Sequence, residues 1–259
     1  MDGWVAPCLT GGLGNRLFQL ACVLGYAKKY NKKPVFLLAK CGKTGHGKFE
    51  NLFDLFPEIS IHEYETSWNE LVEKNNKYFV YEELPNVSGN VLITGYRQCY
   101  NYFSNIVLKP SFDKILSKER IDYLHANYVK PNLFFIHIRL GDFIQLPHHH
   151  INIQKYYSTA LSKMPQNTIP LVFTDDIENT KKFFVFPYDI FGGNDEIETL
   201  YLMSLCVGGI CANSTFSYWG AYFAKQNNPN FIGYYPSNMG SGLPYPQDYY
   251  PPWAVKLEA

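Results

Sequence analysis

Uninterrupted apolar runs in the second half of the chain constrain the fold more than any other feature. LFFIHI (133–138), IPLVFT (169–174) and ICA (210–212) each read as a strand. Stretches of helical spacing lie near Gln154–Lys163, Glu178–Phe184, Glu196–Cys206 and Thr215–Lys225, with weaker strands at Phe186–Ile190 and Phe231–Tyr234. Continuous apolar strands separated by helices predict a parallel, doubly wound α/β sheet. In such sheets ligands bind beyond the carboxyl ends of the strands.

The first half repeats the strand–turn–helix theme. Trp4–Leu9 reads as a strand, Thr10–Gly14 as a glycine turn, and Leu17, Leu20, Ala21, Leu24 and Ala27 recur at helical spacing. Further strands are expected at Val35–Leu38, Ile59–Tyr64, Lys77–Tyr81 and Val91–Tyr96, around a Gly/Lys loop at Lys40–Lys48. Ser111–Tyr128 reads as a helix capped by Ser111 after Pro110. Pro131 interrupts the chain near Val129–Asn132, which predicts two lobes, 1–130 and 131–259. The Pro/Gly/Tyr-rich tail, 236–259, is expected to pack back on the first lobe.

Composition narrows the function. The 259 residues carry 23 Lys+Arg against 23 Asp+Glu, which argues against a nucleic-acid binder working by bulk electrostatics. A 46% apolar content with 18% charged residues belongs to a globular protein. The six cysteines form no CxxC and no zinc-spaced Cys/His cluster, so buried thiols are expected rather than a disulfide framework. MDGWVAPCLTGG carries no secretory signal pattern, and the uncharged stretch Thr199–Ala224 contains too many polar and glycine residues for a span. The reading is a cytoplasmic protein without a membrane span.

Polar clusters sit at three predicted strand ends. HIRLGD places His137, Arg139 and Asp142 at the first, where Arg139 offers a planar fork of donors for phosphate and Asp142 is placed to orient it. A buried ion pair shaping a turn explains the same residues. ANSTFSYWG puts Asn213, Ser214 and Thr215 at a helix start, where free N–H groups attract anions or Ser214 simply caps. Phe216, Tyr218 and Trp219 read there as core. FTDD supplies Asp175 and Asp176, which either bind ribose, brace Arg139 or cap the next helix. A fourth cluster, TGGLGN, brings Gly12, Gly14 and Asn15 to the glycine turn. It has neither the dinucleotide fingerprint nor a P-loop, and no Asp-x-Asp occurs in the chain. The tract His148–His150 reads as an exposed loop, Glu50 and Asp54 as a solvated helical face, and His46, His62 and His125 lack evident partners.

Taken together, GGLGNRLFQLA (11–21), GYRQCYNYF (95–103), HIRLGD (137–142), VFTDD (172–176), LYLMSLCVGGICANSTFSYWGAY (200–222) and the closing WAVKLE (253–258) resemble the α-1,2-fucosyltransferases of glycosyltransferase family 11. The chain is similar more distantly to α-1,6 and protein O-fucosyltransferases. The resemblance implies a GT-B-like fold of two Rossmann-like lobes, with the donor site in the C-terminal lobe facing the inter-lobe cleft. It implies metal-independent, inverting transfer of L-fucose from the co-substrate GDP-β-L-fucose to a glycan hydroxyl, α-1,2 onto galactose, with no other cofactor. Carried over by position, Arg139 holds the donor's β-phosphate, His137 lies near the nucleotide, Ser214 and Thr215 cradle the phosphates and Asn15 reaches the sugar or acceptor side. Together with the strand-end clusters this gives Arg139, Asp142 and Asn15 as catalytic candidates, with the general base left open. Gly12, Gly14, His137, Asp175, Asp176, Glu198, Asn213, Ser214, Thr215 and Phe216 are the candidates for holding the nucleotide-sugar. Leu140 stands where the family often has a second Arg, and Thr199 beside Glu198 where it commonly has Asp. These departures leave open a different nucleotide-sugar donor. A catalytically silent nucleotide- or carbohydrate-binding protein is the remaining reading.

Overall fold

The computed structural model describes residues 3–41, 50–63, 67–74, 79–184, 188–193 and 195–259. Residues 42–48 of the expected Gly/Lys loop, with His46, lie outside the described residues, as do Tyr64, Lys77, Tyr78, Phe186 and Pro187 of three expected strands. The chain forms two compact units, Met1–Ile115 with Pro246–Pro251, and Leu116–Tyr245 with Pro252–Ala259.

The first unit contains strands β1 (Trp4–Pro7), β2 (Lys33–Leu37), β3 (Ser60–His62), β4 (Asn69–Leu71) and β5 (Val91–Ile93), with helices α1 (Leu13–Tyr30) and α2 (Glu50–Leu55). All pairings are parallel, in the order β3-β2-β1-β5-β4. Helix α1 runs back along the core with Leu17, Phe18, Leu20, Ala21 and Val23 fully buried. It stops at Asn31, whose left-handed φ of 53° lets the cap N–H reach the Ala27 carbonyl. Lys28 and Lys29 in its last turn complement the helix dipole.

The second unit opens with α3 (Lys118–Tyr128), which starts seven residues later than expected. Ser117, not Ser111, accepts the capping bond from Arg120 N, while Phe112–Lys114 forms only a 3-10 turn. Then follow β6 (Leu133–Ile138), α4 (Ile153–Ser162), β7 (Ile169–Thr174), α5 (Ile177–Phe183), β8 (Asp189–Ile190), α6 (Glu196–Ser204), β9 (Gly208–Ile210), α7 (Thr215–Asn227), β10 (Ile232–Pro236) and β11 (Ala254–Leu257). Every pairing is parallel, in the order β11-β10-β9-β6-β7-β8. Counted from β6, that is the doubly wound 3-2-1-4-5-6 arrangement. The chain steps outward from β6 through β7 and β8, then returns to the other side of β6 at β9. The seam between β6 and β9 is therefore the topological switch point, where such sheets hold ligands.

Packing fixes that seam. A Cβ on Gly208 or Gly209 would strike the rings of Phe134 or Phe135 on β6, so the glycines let aromatic side chains cover the neighbouring strand. A Cβ on Gly220 would meet Met203, which sets the close approach of α7 to α6. Tyr218 and Trp219 are completely buried. No helix among the described residues is long and apolar enough to cross a membrane.

Candidate active site

Strand β6 ends at Ile138, and the polar residues that follow turn at the mouth of the seam. Arg139 Nη2 donates to Asp142 Oδ1 at 2.6 Å, and Nη1 pairs with Asp175 Oδ2 at 2.9 Å. The other Asp175 oxygen accepts from Leu140 N at 2.9 Å and Gly141 N at 3.3 Å. A Cβ at position 141 would collide with the Asp175 carboxylate, which is why glycine occupies the turn. Asp175, at the tip of β7, thus fixes both the guanidinium and the backbone that carries it. The Arg139 side chain retains 28% exposure, so the fork is held but reachable. Leu140 is buried in the apolar core of this unit, so its side chain is directed away from the fork.

Strand β9 runs into α7, whose N-cap is Ser214. Its Oγ accepts from Phe216 N at 3.3 Å, and Ser217 Oγ donates to the Ala212 and Ser214 carbonyls. Capping and anion binding are compatible here: the cap uses a lone pair of the Ser214 hydroxyl and leaves its proton to donate. Thr215 opens the first turn, at the positive end of the helix dipole. Phe216 is half-buried and faces His137, with ring centroids 5.8 Å apart. His137 itself is buried on β6, and no hydrogen bond reaches its Nδ1 among the described residues. Burial, reinforced by Arg139, pushes its pKa down to about 3, so the ring is neutral at any working pH.

A run of contacts joins the strand tip to the helix start. The Arg139 guanidinium lies 5.4 Å from the Phe143 ring centre, and Phe143 stacks face to face on His149, centroids 4.1 Å apart and planes 3° from parallel. The Asn213 amide donates to the His149 carbonyl at 2.8 Å and to the Met239 carbonyl at 3.0 Å. Asn213 therefore ties two loops together immediately before Ser214. The expected exposed histidine loop needs correction: His148 and His150 are exposed, but His149 is half-buried in this stack, its pKa lowered by burial and by His148. Phe143 and His149 were missed by sequence reasoning. The only signal was an aromatic residue directly after HIRLGD.

Two expected ligand residues have protein partners elsewhere. Asp176 caps α5, accepting from Asn179 N at 3.0 Å and from the Asn179 amide at 2.6 Å, which holds its carboxyl below the usual range. Glu198, in the first turn of α6, receives a bidentate pair from Arg120 at 2.5 and 2.7 Å.

In the first unit the glycine turn also lies at a switch point, where β1 sits between β2 and β5. Gly11 has φ +74°, and a Cβ there would strike the Asn15 amide. Gly12 occupies the N-cap position of α1, its carbonyl accepting from Asn15 N and Arg16 N, and Gly14 is buried in the first turn. Asn15 Oδ1 accepts from Gln98 Nε2 at 2.9 Å, across from the end of β5. Gln19 braces the same corner, accepting from Thr10 N and donating to the Gly95 carbonyl. Among the described residues no group of three His, Cys, Asp or Glu is placed to hold a metal ion.

Residues 55–238, well over half of the chain, match the model of glycosyl transferase family 11. An alpha-1,2-colitosyltransferase of Escherichia coli is 28% identical over 86% of this chain and 88% of its own length. The O-antigen biosynthesis glycosyltransferase WbnK of the same species is 28% identical over 83% and 88%. Among solved structures, the fold is similar to fucosyltransferase NodZ from Bradyrhizobium, at TM-score 0.52 and 17% identity over 85% of this chain and 91% of that one. It is equally similar to POFUT1 in complex with GDP-fucose, at TM-score 0.52 and 12% identity over 90% and 98%.

Proposed function

This chain belongs to glycosyl transferase family 11, and from that premise we propose that it transfers L-fucose from GDP-β-L-fucose to a sugar hydroxyl, with inversion and without a metal. The acceptor position in this reading is O2 of a terminal galactose, in the cytoplasm. The proposal carries with it a GT-B-like fold, with the donor held by the second unit.

One observation carries the reading. At the switch point of the second sheet stands a guanidinium fork braced from two sides, linked through Phe143, His149 and Asn213 to the start of a 13-residue helix. Glycosyl transfer builds cationic character on the sugar while negative charge grows on the departing diphosphate. Fixed donors aimed at that charge lower the barrier because they need not reorganise. Arg139 has five N–H donors, of which Asp142 and Asp175 engage two, so three serve the phosphate oxygens. Asp142 is the more exposed of the two carboxylates, at 41%, and yields to the diphosphate while Asp175 keeps the fork in place. Ser214 and Thr215 add hydroxyl donors and the helix dipole, and His137 lines the nucleotide side as a neutral ring. Asn15, in the first unit, is assigned to the acceptor in this reading.

A second donor is favoured by one specific observation, the kinship with a relative named as a colitosyltransferase. Colitose is fucose without its 3-hydroxyl, so the two donors share the GDP diphosphate chemistry and differ at one sugar position. Incubation with GDP-fucose or GDP-colitose and a panel of galactosides, followed by product mass and linkage analysis, tests both. Transfer of a 6-deoxy sugar in EDTA is the expected result. Absence of transfer with any donor, or preference for UDP over GDP in binding, overturns the reading.

A further inference from the structure

The corner of the first sheet beyond β5 is held by several side-chain hydrogen bonds. Gly95 has φ +95° and Arg97, a non-glycine, φ +52°. A left-handed non-glycine conformation costs on the order of 1 kcal/mol and persists only where its surroundings hold it. Here they do. The Glu73 carboxylate, two residues beyond β4, accepts from Tyr96 N at 2.8 Å and Arg97 N at 3.0 Å, and its side chain fills the space a Cβ on Gly95 would need. The Arg97 side chain is buried and turns inward, donating to the Thr94 carbonyl at 2.9 Å and the Leu71 carbonyl at 2.8 Å, with Tyr102 beside it. Strand ends, turn and side chains are thus locked into one unit.

What the lock positions is Gln98. Its Nε2 donates to Asn15 Oδ1 at 2.9 Å, which fixes the plane of the amide. Its Oε1 makes no hydrogen bond among the described residues, and the side chain is only half-buried. A carboxamide held by one end and open at the other is suited to a hydroxyl that needs an acceptor, which is the chemistry a neutral sugar presents. The location is the carboxyl-end crevice between β1 and β5, where a parallel sheet receives ligand.

We propose that Gln98 is a specificity-determining residue that accepts a hydrogen bond from a hydroxyl of the acceptor sugar, with Glu73 and Arg97 as the positioning residues that aim it. The inference rests on the glycosyltransferase reading and extends it to the acceptor. Arg97 is buried because its charge is used to hold backbone, and Asn15 is the partner that selects which end of the Gln98 amide is presented.

The experiment compares wild type and Gln98→Ala with galactoside acceptors lacking one hydroxyl at a time, while GDP binding is followed by calorimetry. Wild type is expected to lose roughly tenfold in kcat/KM, the scale of one neutral hydrogen bond, when one particular hydroxyl is removed. Gln98→Ala should raise the KM for the intact acceptor by a similar factor, discriminate no further against that deoxy sugar, and bind GDP as before. Gln98→Glu keeps accepting oxygens but loses the donor to Asn15 Oδ1, so it should still discriminate against that deoxy sugar while binding the intact acceptor less well than wild type. An active wild type with Gln98→Ala showing unchanged acceptor KM and unchanged discrimination overturns the inference, as does a parallel loss of GDP binding. A wild type that transfers no sugar overturns the glycosyltransferase reading itself, and this assignment with it.

Discussion

Asp175 and Arg139 meet side chain to side chain at 2.9 Å, while the free oxygen of the same carboxylate grips the backbone just beyond Arg139 at Leu140 N. One residue at the tip of β7 therefore sets both the direction of the guanidinium and the turn that carries it. The direction of the fork is thus set by contacts within the protein.

The two roles of Asp175 separate on substitution. Asp175→Asn keeps an oxygen for Leu140 N but removes the charge facing Arg139, and should lower kcat/KM about tenfold. Asp175→Ala removes both and should cost about a hundredfold, with roughly 1–3 kcal/mol of stability from the unpaired N–H groups. Steady-state kinetics with thermal melts would check this, and equal activity in all three proteins would contradict it.

Ser214 offers a similar separation of structure from binding. Asp caps helices as well as Ser does, but it brings negative charge to a site meant for phosphate. Ser214→Asp should melt within a few degrees of wild type yet bind GDP at least tenfold more weakly. Ser214→Ala should lose about 1 kcal/mol of stability, visible as a fall of roughly 2–4 °C in Tm. Undiminished GDP affinity in Ser214→Asp would remove the helix start from the nucleotide site.

His137 links folding to acidity. Its native pKa of about 3 lies below the unfolded value near 6.5, so the unfolded chain binds the extra proton and acid favours unfolding. Its stabilising contribution is complete above pH 6.5 and is lost as pH falls toward 3, with a slope of at most about 1.4 kcal/mol per pH unit. Urea midpoints between pH 7 and pH 4.5 should fall more steeply for wild type than for His137→Gln. Parallel pH profiles would show that the ring is not held neutral.

The Phe143–His149 stack depends on Asn213, whose amide satisfies two carbonyls from separate loops. Asn213→Ala should cost about 1–3 kcal/mol through those lost bonds and also lower activity, because Phe143 packs against Arg139. His149→Phe preserves a flat partner for Phe143 and should retain most activity, whereas His149→Ala should not. Equal activity in the two His149 variants would show that the stack does not support the fork.

Much of the second sheet was legible because its central strands are buried on both faces, so β6 and β7 end where their apolar runs end. Strand β9 was displaced by two residues in the sequence reading because Gly208 and Gly209 look like breakers. They are strand residues whose missing side chains make room for Phe134 and Phe135. The start of α3 is shifted because two serines compete as caps: Ser111 has only a single 3-10 turn behind it and Ser117 the α-helix. Edge strands β4 and β11 gave little signal, since their half-exposed residues mix polar and apolar types. At the site, Arg139 and Asp142 were readable from three-residue spacing, and Asp175 from its strand end. The stack of Phe143 on His149 was not, because a loop of no regular spacing sets it, nor was the lock on Gln98, which joins residues far apart in sequence.

The most direct measurement is donor turnover in EDTA, following GDP release and sugar transfer together, for wild type and Arg139→Ala. Full wild-type activity without divalent metal is expected, with a loss in the variant of about 3–4 kcal/mol in barrier, roughly 10²–10³-fold, and an unaltered melting profile. Comparable rates for the two proteins, or a wild type revived only by added magnesium, would contradict a mechanism in which this guanidinium carries the charge of the departing diphosphate.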